Sequence, residues 1–335
     1  MTDAALGSGP PLGSTPEGQR QLFSPVRRSD KTFRGITTGA AFTSLVVMAL
    51  IAFFLFKEAW PSLDKAGSSF FTAFGWTPDE EGTKYGIAAM LFGTVMIAVI
   101  ALLVAFPISV GTALFINEYA PLKIRRPLIS LIDLLAAIPS LIFGLWGLAF
   151  LQPKLNGLSQ WTNDYLGFIP MFKATLRGIY GSSIFVSGII LAIMIVPIIT
   201  SVSRSVMAEV PRVDCEAALA LGGTRAGMVR EVVLPFAKSG LVGAAMLGLG
   251  RALGETIAVA LVLSNDFRIP SSFTSPGGAS VAGTIANKFP EASTNGRSAL
   301  IAAGLVLFIV TLFVNIVARA VVSRSMKPAA KGRKS

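Results

Sequence analysis

The sequence predicts an all-α polytopic membrane protein with six transmembrane helices. Of its 335 residues, 53% are hydrophobic and only 14% are charged, and the mean hydropathy is +0.67. A soluble domain usually carries about a quarter charged residues. The apolar residues are concentrated in six runs, each longer than the roughly 20 residues that a helix needs to cross the hydrocarbon. Composition and clustering together therefore favour a membrane-embedded helical bundle.

Four of the six runs contain no charged residue at all: Gly35–Phe56, Tyr85–Asn117, Gly178–Ser203 and Ser298–Ala318. The other two runs are Pro127–Pro153, which is interrupted only by Asp133, and Ser239–Asn265, which is interrupted only by Arg251 and Glu255. We expect these six segments to be spans 1 to 6 in chain order.

The distribution of lysine and arginine predicts which side of the membrane each loop occupies. With six spans, both termini lie on the same side as the loops after spans 2 and 4, and that side collects 19 of the 29 Lys and Arg residues. Because cytoplasmic loops carry this excess, both termini are predicted to be cytoplasmic. Residues 1–33 are expected to be a disordered tail, 34–325 the transmembrane domain and 326–335 a basic tail. The net charge of +11 then reflects this asymmetry and contact with anionic lipid, not nucleic acid.

Three absences from the sequence narrow the classes of function. The chain has no histidine, so a histidine-based metal site or catalytic triad is excluded. Its single cysteine, Cys215, cannot form an internal disulfide. No G-x-x-x-x-G-K-[ST] sequence occurs, so the chain does not bind ATP through a P-loop of its own. We expect neither a bound cofactor nor catalytic residues in this chain.

The loop after span 4, residues 211–235, is predicted to form two short helices joined by a turn. Asp214 can cap a helix that begins at the next residue. Gly222 is expected to end it, since glycine adopts the left-handed conformation at little cost. A second helix is expected over Arg225–Val233, with Pro235 as its stop. Physical chemistry alone leaves open whether this loop docks a partner or lies on the lipid.

The residue spacing in this loop resembles the EAA motif of bacterial ABC-importer permeases, and we call residues 211–235 the EAA loop. The matching residues are Glu216, Ala217, Ala218, Gly222, Val232, Leu234 and Pro235. Val232 stands where the family often has isoleucine. In that family the loop docks into a groove of a separate ATPase subunit. The resemblance therefore implies that ATP and Mg²⁺ are bound by a partner chain.

The charged pair of span 5 permits two interpretations. Arg251 lies near the middle of the span, where each charge costs about 2.5–3.5 kcal/mol. On a continuous helix Glu255 would be one turn away on the same face and could partly neutralise Arg251. The pair is then either a structural ion pair, with Asp133 of span 3 as a further candidate, or a polar site on a permeation path. In the second case Arg251 would offer its donors to an oxyanion.

Three segments are similar to phosphate-specific ABC permeases. The stretch GLGRALGETIAVALVL in span 5 is similar to the segment whose Arg and Glu are essential polar residues in that family. Ile132–Phe150 resembles span 3 of the PstC-type subunit, which commonly has Glu at the position of Asp133. Phe92–Pro121 resembles the opening of the same domain. The resemblance implies a type I ABC-importer permease in the bacterial inner membrane, with Arg251, Glu255 and Asp133 on the substrate pathway.

The same resemblance implies a set of partners. These are a second, PstA-like permease subunit, two PstB-like ATPase subunits and a PstS-like extracytoplasmic phosphate-binding protein. A homodimer of permease subunits is not excluded by the sequence. The alternatives are a permease for another oxyanion or small polar solute, and an ATP-independent secondary transporter. The latter would predict inverted repeats, and no obvious internal repeat is present.

Overall fold

The computed structural model describes residues 28–80, 85–169, 181–270 and 272–325. Within these ranges the chain forms helices and connecting segments, without a β-strand. The chain divides into two units between Ile51 and Ala52. Residues 1–27 of the predicted N-terminal tail and the whole predicted tail 326–335 lie outside the described residues.

Helix α1, Arg28–Ala66, begins six residues before the predicted end of the N-terminal tail, so residues 28–33 are helical. In the first unit its large apolar side chains are exposed, including Phe42 and Leu45. A helix whose apolar side chains are not buried by the protein suits a hydrocarbon environment. The first span therefore contributes a membrane-facing helix and little core.

Within the described ranges the remaining helices, in chain order, are α2 (Ser69–Thr72), α3 (Ala88–Leu114), α4 (Leu122–Ala136), α5 (Ser140–Trp146), α6 (Gln152–Leu166), α7 (Ile184–Ala208), α8 (Arg212–Ala220), α9 (Arg225–Met228), α10 (Leu234–Gly254), α11 (Ile257–Val262), α12 (Val281–Lys288) and α13 (Thr294–Ser325). Three π-helical turns extend α3, α5 and α9: Phe115–Tyr119, Gly147–Leu151 and Val229–Val233. Such turns are uncommon and occur frequently at functional sites.

Five helical segments in the described residues are long and apolar enough to cross a membrane, and a bent pair makes a sixth when it is counted as one span. The five are Asp30–Ala66, Ala88–Tyr119, Ile184–Ala208, Arg225–Gly254 and Thr294–Val317. The bent pair joins α4 to the helix Ser140–Leu166. Each predicted span overlaps one of these segments, so the predicted number and order of spans agree with the structure.

Span 3 is sharply bent, and a proline lies at the bend, as expected for a proline inside a span. Its two parts are bent by 89° between Ala136 and Ser140. Pro139 lies at this bend. Proline cannot donate the hydrogen bond that would continue α4, and its ring disfavours helical geometry at the preceding residue. Hydropathy averaged over a span does not register such a local constraint.

The main apolar core lies between α3, α7 and α10. Ile97 of α3, Ile195 of α7 and Ala244 of α10 are buried in one cluster. Glycines set the helix spacing: a Cβ on Gly188 would lie 2.6 Å from Ile100 Cγ2. Small residues of this kind allow membrane helices to pack closely. These three helices form the scaffold that carries the candidate sites.

A second apolar cluster joins α12 and α13 to the segment before α3. Trp76, Tyr85 and Leu300 are buried in it. The hydroxyl groups of Tyr85 and Ser62 share a hydrogen bond of 2.7 Å, which satisfies the polar atom of a buried aromatic side chain. The described parts of the segments between these spans are therefore packed structure.

Candidate functional sites

The helix of span 5 is interrupted one turn after Arg251. Helix α10 ends at Gly254, and Glu255 is extended, with φ −66° and ψ 126°. Helix α11 starts two residues later and ends at Val262. The prediction of a continuous helix over Ser239–Asn265 is therefore wrong. Gly254 favours a helix end because glycine loses more conformational entropy in a helix than other residues.

The Glu255 carboxylate stabilises this break. Its Oε1 accepts a hydrogen bond of 3.2 Å from the backbone N–H of Ala258 in the first turn of α11. That N–H has no partner within the helix, so the carboxylate satisfies a donor that would otherwise be unpaired. Glu255 is only 9% exposed. Its side chain thus acts as the N-terminal cap of α11.

Arg251 is not paired with Glu255. Its side chain is exposed at the last turn of α10. In the part of the chain that the structure describes, the ion pair present joins Arg230 to Glu231, and none joins Arg251 to Glu255. The predicted neutralisation along one helix face is therefore wrong, because the break removes Glu255 from the helical register. The Arg251 guanidinium is left available to another group.

Helix α10 has one packed face and one open face. On the packed face, a Cβ on Gly248 would lie 2.5 Å from Ile199 Cδ1 of α7. Near the start of α10, a Cβ on Gly240 would lie 2.3 Å from Val206 Cγ1 of α7, so this end of the helix is packed against α7 as well. The open face comprises Gly243, Leu247, Gly250, Arg251 and Gly254. A Cβ on any of its three glycines would meet nothing within 4 Å. Arg251 therefore lies on a helix surface that no other part of the described chain covers closely at these glycines.

A cavity of about 570 Å³ opens beside Gly250 and Gly254. The rest of its wall comes from α1, α12 and α13 and is mostly apolar, with Thr311 and Asn315 as its polar side chains. Arg251 does not line this cavity. The candidate contact with an anion is therefore the Arg251 side chain, outside the cavity that Gly250 and Gly254 line.

Asp133 is bound to α7 by a hydrogen bond. It is exposed on α4, and its Oδ1 accepts a hydrogen bond of 2.9 Å from Ser201 Oγ of α7. Among the described residues it forms no ion pair with Arg251, the partner considered from the sequence. The carboxylate therefore links α4 to α7. The structure brings Arg251 and Glu255 together only as neighbours along the chain.

The first helix of the EAA loop begins earlier than predicted. Helix α8 starts at Arg212, with Pro211 before it and no side-chain cap. The prediction that Asp214 caps the helix is wrong, since Asp214 already lies in its first turn. A carboxylate there still interacts favourably with the helix dipole. The predicted end is confirmed: Gly222 has φ +84°, a conformation that other residues rarely adopt.

The second helix of the loop does not stop at Pro235. Thr224 caps α9, its Oγ1 accepting a hydrogen bond of 3.1 Å from the Gly227 N–H. The helix then passes through the π-turn Val229–Val233 into α10, giving an unbroken segment of 30 residues, Arg225–Gly254. Pro235 lies in the first turn of α10, directly after the π-turn, and the helix continues through it.

The EAA loop exposes one face and packs the other. Its motif residues Glu216, Ala217 and Gly222 are exposed, and Pro235 is exposed at the start of α10. Ala218 and Leu234 are half-buried. With Cys215 they pack against a buried cluster from α3, α7, α9, α10 and the adjoining π-turn: Ala113, Met207, Val210, Met228, Val229, Val233, Ala237 and Leu241. The loop is thus seated on the helices that form the core.

Three large apolar side chains of the EAA loop are exposed, which sequence reasoning missed: Leu219 and, more fully, Val213 and Leu221. Val213 is 74% exposed and Leu221 is 90% exposed. Leu221 immediately precedes the left-handed Gly222, at the tip of the loop. A leucine directly before the turn glycines was the available signal. Exposed apolar residues on a helical loop are a feature of partner-binding surfaces.

Burial raises the pKa of the Cys215 thiol above its ordinary value, and the carboxylates of Glu118, Asp214 and Glu216 raise it further. The thiolate is therefore disfavoured at neutral pH. No group of three or more potential metal-ligating side chains occurs within the described ranges.

Comparison with known proteins identifies the family. The family model described as "Binding-protein-dependent transport system inner membrane component" matches residues 105–327. The chain is 42% identical over 304 residues to "Phosphate transport system permease protein PstC 2" of Mycobacterium tuberculosis, covering 89% of this chain and 93% of the relative. The PstC of Xylella fastidiosa is 40% identical, covering 93% and 95% respectively. This chain belongs to the PstC family. As a family member it is a multi-pass component of the bacterial inner membrane and a transport subunit, not an enzyme.

Solved structures support the fold of this PstC-family chain. A chain of a bacterial ABC transporter involved in the import of the acidic polysaccharide alginate matches with a TM-score of 0.53 at 16% identity, covering 89% of this chain and 100% of that one. A chain of the inward-facing MetNI methionine ABC transporter matches with a TM-score of 0.52 at 17% identity, covering 71% and 95%. The predicted type I ABC-importer permease fold is confirmed.

Proposed function

We propose that this chain is the PstC-type permease subunit of an ATP-driven importer of inorganic phosphate. The observation that carries the proposal is 42% identity, across nearly the whole chain, to a protein named as a phosphate transport permease. Arg251 supports it independently, since it presents an unpaired guanidinium on the open face of a membrane helix. A guanidinium matches the geometry of phosphate oxygens through its planar set of N–H donors.

The proposed complex contains a second, PstA-like permease subunit, two PstB-like ATPases and a PstS-like binding protein. The open face of α10 supports a second permease subunit, because Gly243, Gly250 and Gly254 leave a smooth surface there. The exposed EAA loop supports an ATPase partner, which would hold ATP and Mg²⁺. Binding-protein dependence is a property named for the family. No cofactor is proposed for this chain itself.

In the proposed mechanism Arg251 contacts the phosphate transiently as the pathway opens to one side and then the other. Binding there must be weak, because a tight site in the middle of a pathway would slow release. Glu255 acts by capping α11, which stabilises the interruption of the helix between Gly254 and Ile257. Asp133 is retained as a pathway residue on α4, where its hydrogen bond to Ser201 fixes its position.

Reconstitution in proteoliposomes tests the function directly. The permease, its partner subunits and a phosphate-loaded binding protein should import radiolabelled phosphate only when ATP is supplied on the ATPase side. Excess unlabelled sulfate should not compete. Import of sulfate at a similar rate would favour the alternative of a general oxyanion permease. Import without ATP would instead indicate a secondary transporter.

We further propose that the EAA loop and both termini are cytoplasmic, on the strength of the Lys and Arg distribution. In intact cells Cys215 should not react with a membrane-impermeant maleimide, and it should react once the membrane is permeabilised. Because its pKa is raised, the reaction should accelerate as the pH rises above neutrality. Mass spectrometry of the labelled peptide measures both effects. Labelling in intact cells would contradict the orientation.

A further inference from the structure

Helices α3 and α7 lie side by side in a fixed register. Ser109 Oγ of α3 donates a hydrogen bond of 3.1 Å to the Val196 carbonyl of α7, and the two residues are 87 apart in sequence. At the end of α3, Asn117 Nδ2 donates a hydrogen bond of 2.9 Å to the Arg204 carbonyl, again 87 residues away. The equal separations show that the helices run in the same direction without slipping over about 12 Å.

The amide of Asn117 also holds a third helix. Its Oδ1 accepts a hydrogen bond of 3.1 Å from Arg125 Nη2 of α4. An asparagine amide has donors on one atom and an acceptor on the other, and here both ends are used. The residue is half-buried and lies in the π-turn Phe115–Tyr119. One side chain thus ties α3 to α7 and to α4.

This junction lies beside the EAA loop. Ala113 of α3 and Met207 of α7 belong to the buried cluster on which the loop rests. Cys215 of α8 packs against that cluster, and Glu118, which follows Asn117, is close enough to influence its thiol. A displacement of α8 therefore reaches α3 and α7 at the level of Asn117.

We propose that Asn117 is a positioning residue for energy coupling: it makes α3, α4 and α7 move as one body when an ATPase shifts the EAA loop. The inference rests on the proposed function. Without the amide, a push on the loop would slide α3 against α7 and separate α4 from both. Ser109 provides the matched comparison, because it ties α3 to α7 at the same register but without contact to α4 or the EAA loop.

The test is the number of phosphate ions imported per ATP hydrolysed by the complete reconstituted complex. Asn117→Leu removes both hydrogen bonds and is expected to lower this ratio about fivefold or more, a typical magnitude for the loss of coupling between sites. Ser109→Ala is expected to keep the ratio within twofold of the wild type. Arg125→Gln, which shortens the α4 side chain, should give an intermediate ratio.

A purely structural role would lower the amount of assembled complex without changing the ratio. An unchanged ratio in Asn117→Leu, or an equal fall in Ser109→Ala, would overturn the inference. If Asn117→Leu does not assemble, Asn117→Asp decides: it keeps the acceptor for Arg125 and loses the donor to Arg204, so its ratio should fall. A wild-type complex that imports no phosphate would overturn the proposed function, and the inference with it. A wild-type complex that imports phosphate at the same ratio as Asn117→Leu would overturn the inference alone.

Discussion

Replacing Arg251 by leucine is expected to reduce phosphate uptake to near background while the complex still assembles. Arg251 is exposed and forms no ion pair among the described residues, so its removal leaves no buried charge without a partner. Arg251→Lys should give intermediate uptake, since lysine keeps the charge but not the planar set of donors. The measurement is uptake of radiolabelled phosphate, normalised to the amount of assembled complex in the membrane.

The double variant Arg251→Leu with Glu255→Leu is the control for a structural ion pair. If the two side chains paired during transport, removing both charges should restore much of what either single change loses. Because Glu255 caps α11 and is not bound to Arg251, we expect no such recovery. Near-normal uptake by the double variant would show that Arg251 serves only the fold.

Glu255→Gln and Glu255→Leu separate the cap from the charge. Glutamine keeps a side-chain oxygen that can accept the Ala258 N–H, whereas leucine leaves that donor unsatisfied. The loss of a helix cap typically costs about 0.5–2 kcal/mol. In thermal unfolding of the purified complex, we expect the glutamine variant to have the unfolding temperature of the wild type and the leucine variant to have a lower one. Equal destabilisation of the two would argue against the cap. A stable but inactive glutamine variant would show that the charge itself acts in transport.

The second large effect is expected at the tip of the EAA loop. Gly222→Pro should abolish the stimulation of ATP hydrolysis by loaded binding protein, because proline cannot adopt the φ of +84° that shapes the turn. Leu221→Asp should have a similar effect by placing a charge on the exposed apolar tip. Insertion into the membrane should remain normal, since neither residue is buried.

Gly227→Ala is the matched control in the same loop. A Cβ there would lie 3.4 Å from Thr224 Oγ1, at the edge of ordinary van der Waals contact. This variant should keep the stimulated hydrolysis. If Gly222→Pro or Leu221→Asp also keeps it, the loop does not couple to the ATPase in the way proposed.

The number and order of the spans were predictable because they depend on long apolar runs. A single residue within such a run does not change its overall hydropathy enough to obscure it. The turn at Gly222 was predictable for the opposite reason, since a glycine beside another glycine determines the local backbone. Both features follow from short-range chemistry or from composition over a whole segment.

The breaks inside the spans were not predictable in the same way. The break after Gly254 depends on one hydrogen bond that the Glu255 carboxylate accepts from the Ala258 backbone N–H. Helical periodicity instead placed Glu255 beside Arg251. The sequence predicts that the helix stops at Pro235, yet in the structure the π-turn Val229–Val233 leads into α10 and the helix continues through the proline. Local sequence rules do not register this π-turn. Asn117 carried no sequence signal, because its partners lie on two other helices, one of them 87 residues away.

The unbroken helix from Arg225 to Gly254 has a mechanical consequence. Arg251 lies 26 residues after Arg225, which corresponds to about 39 Å along the helix axis. The segment can therefore act as a lever arm with the EAA loop at one end and the Arg251 guanidinium near the other. A tilt of about 10° around the loop end would swing Arg251 sideways by about 7 Å, more than one helical pitch. A modest rotation at the loop end of this helix is thus enough to move the positive charge by several ångströms across the path proposed for phosphate.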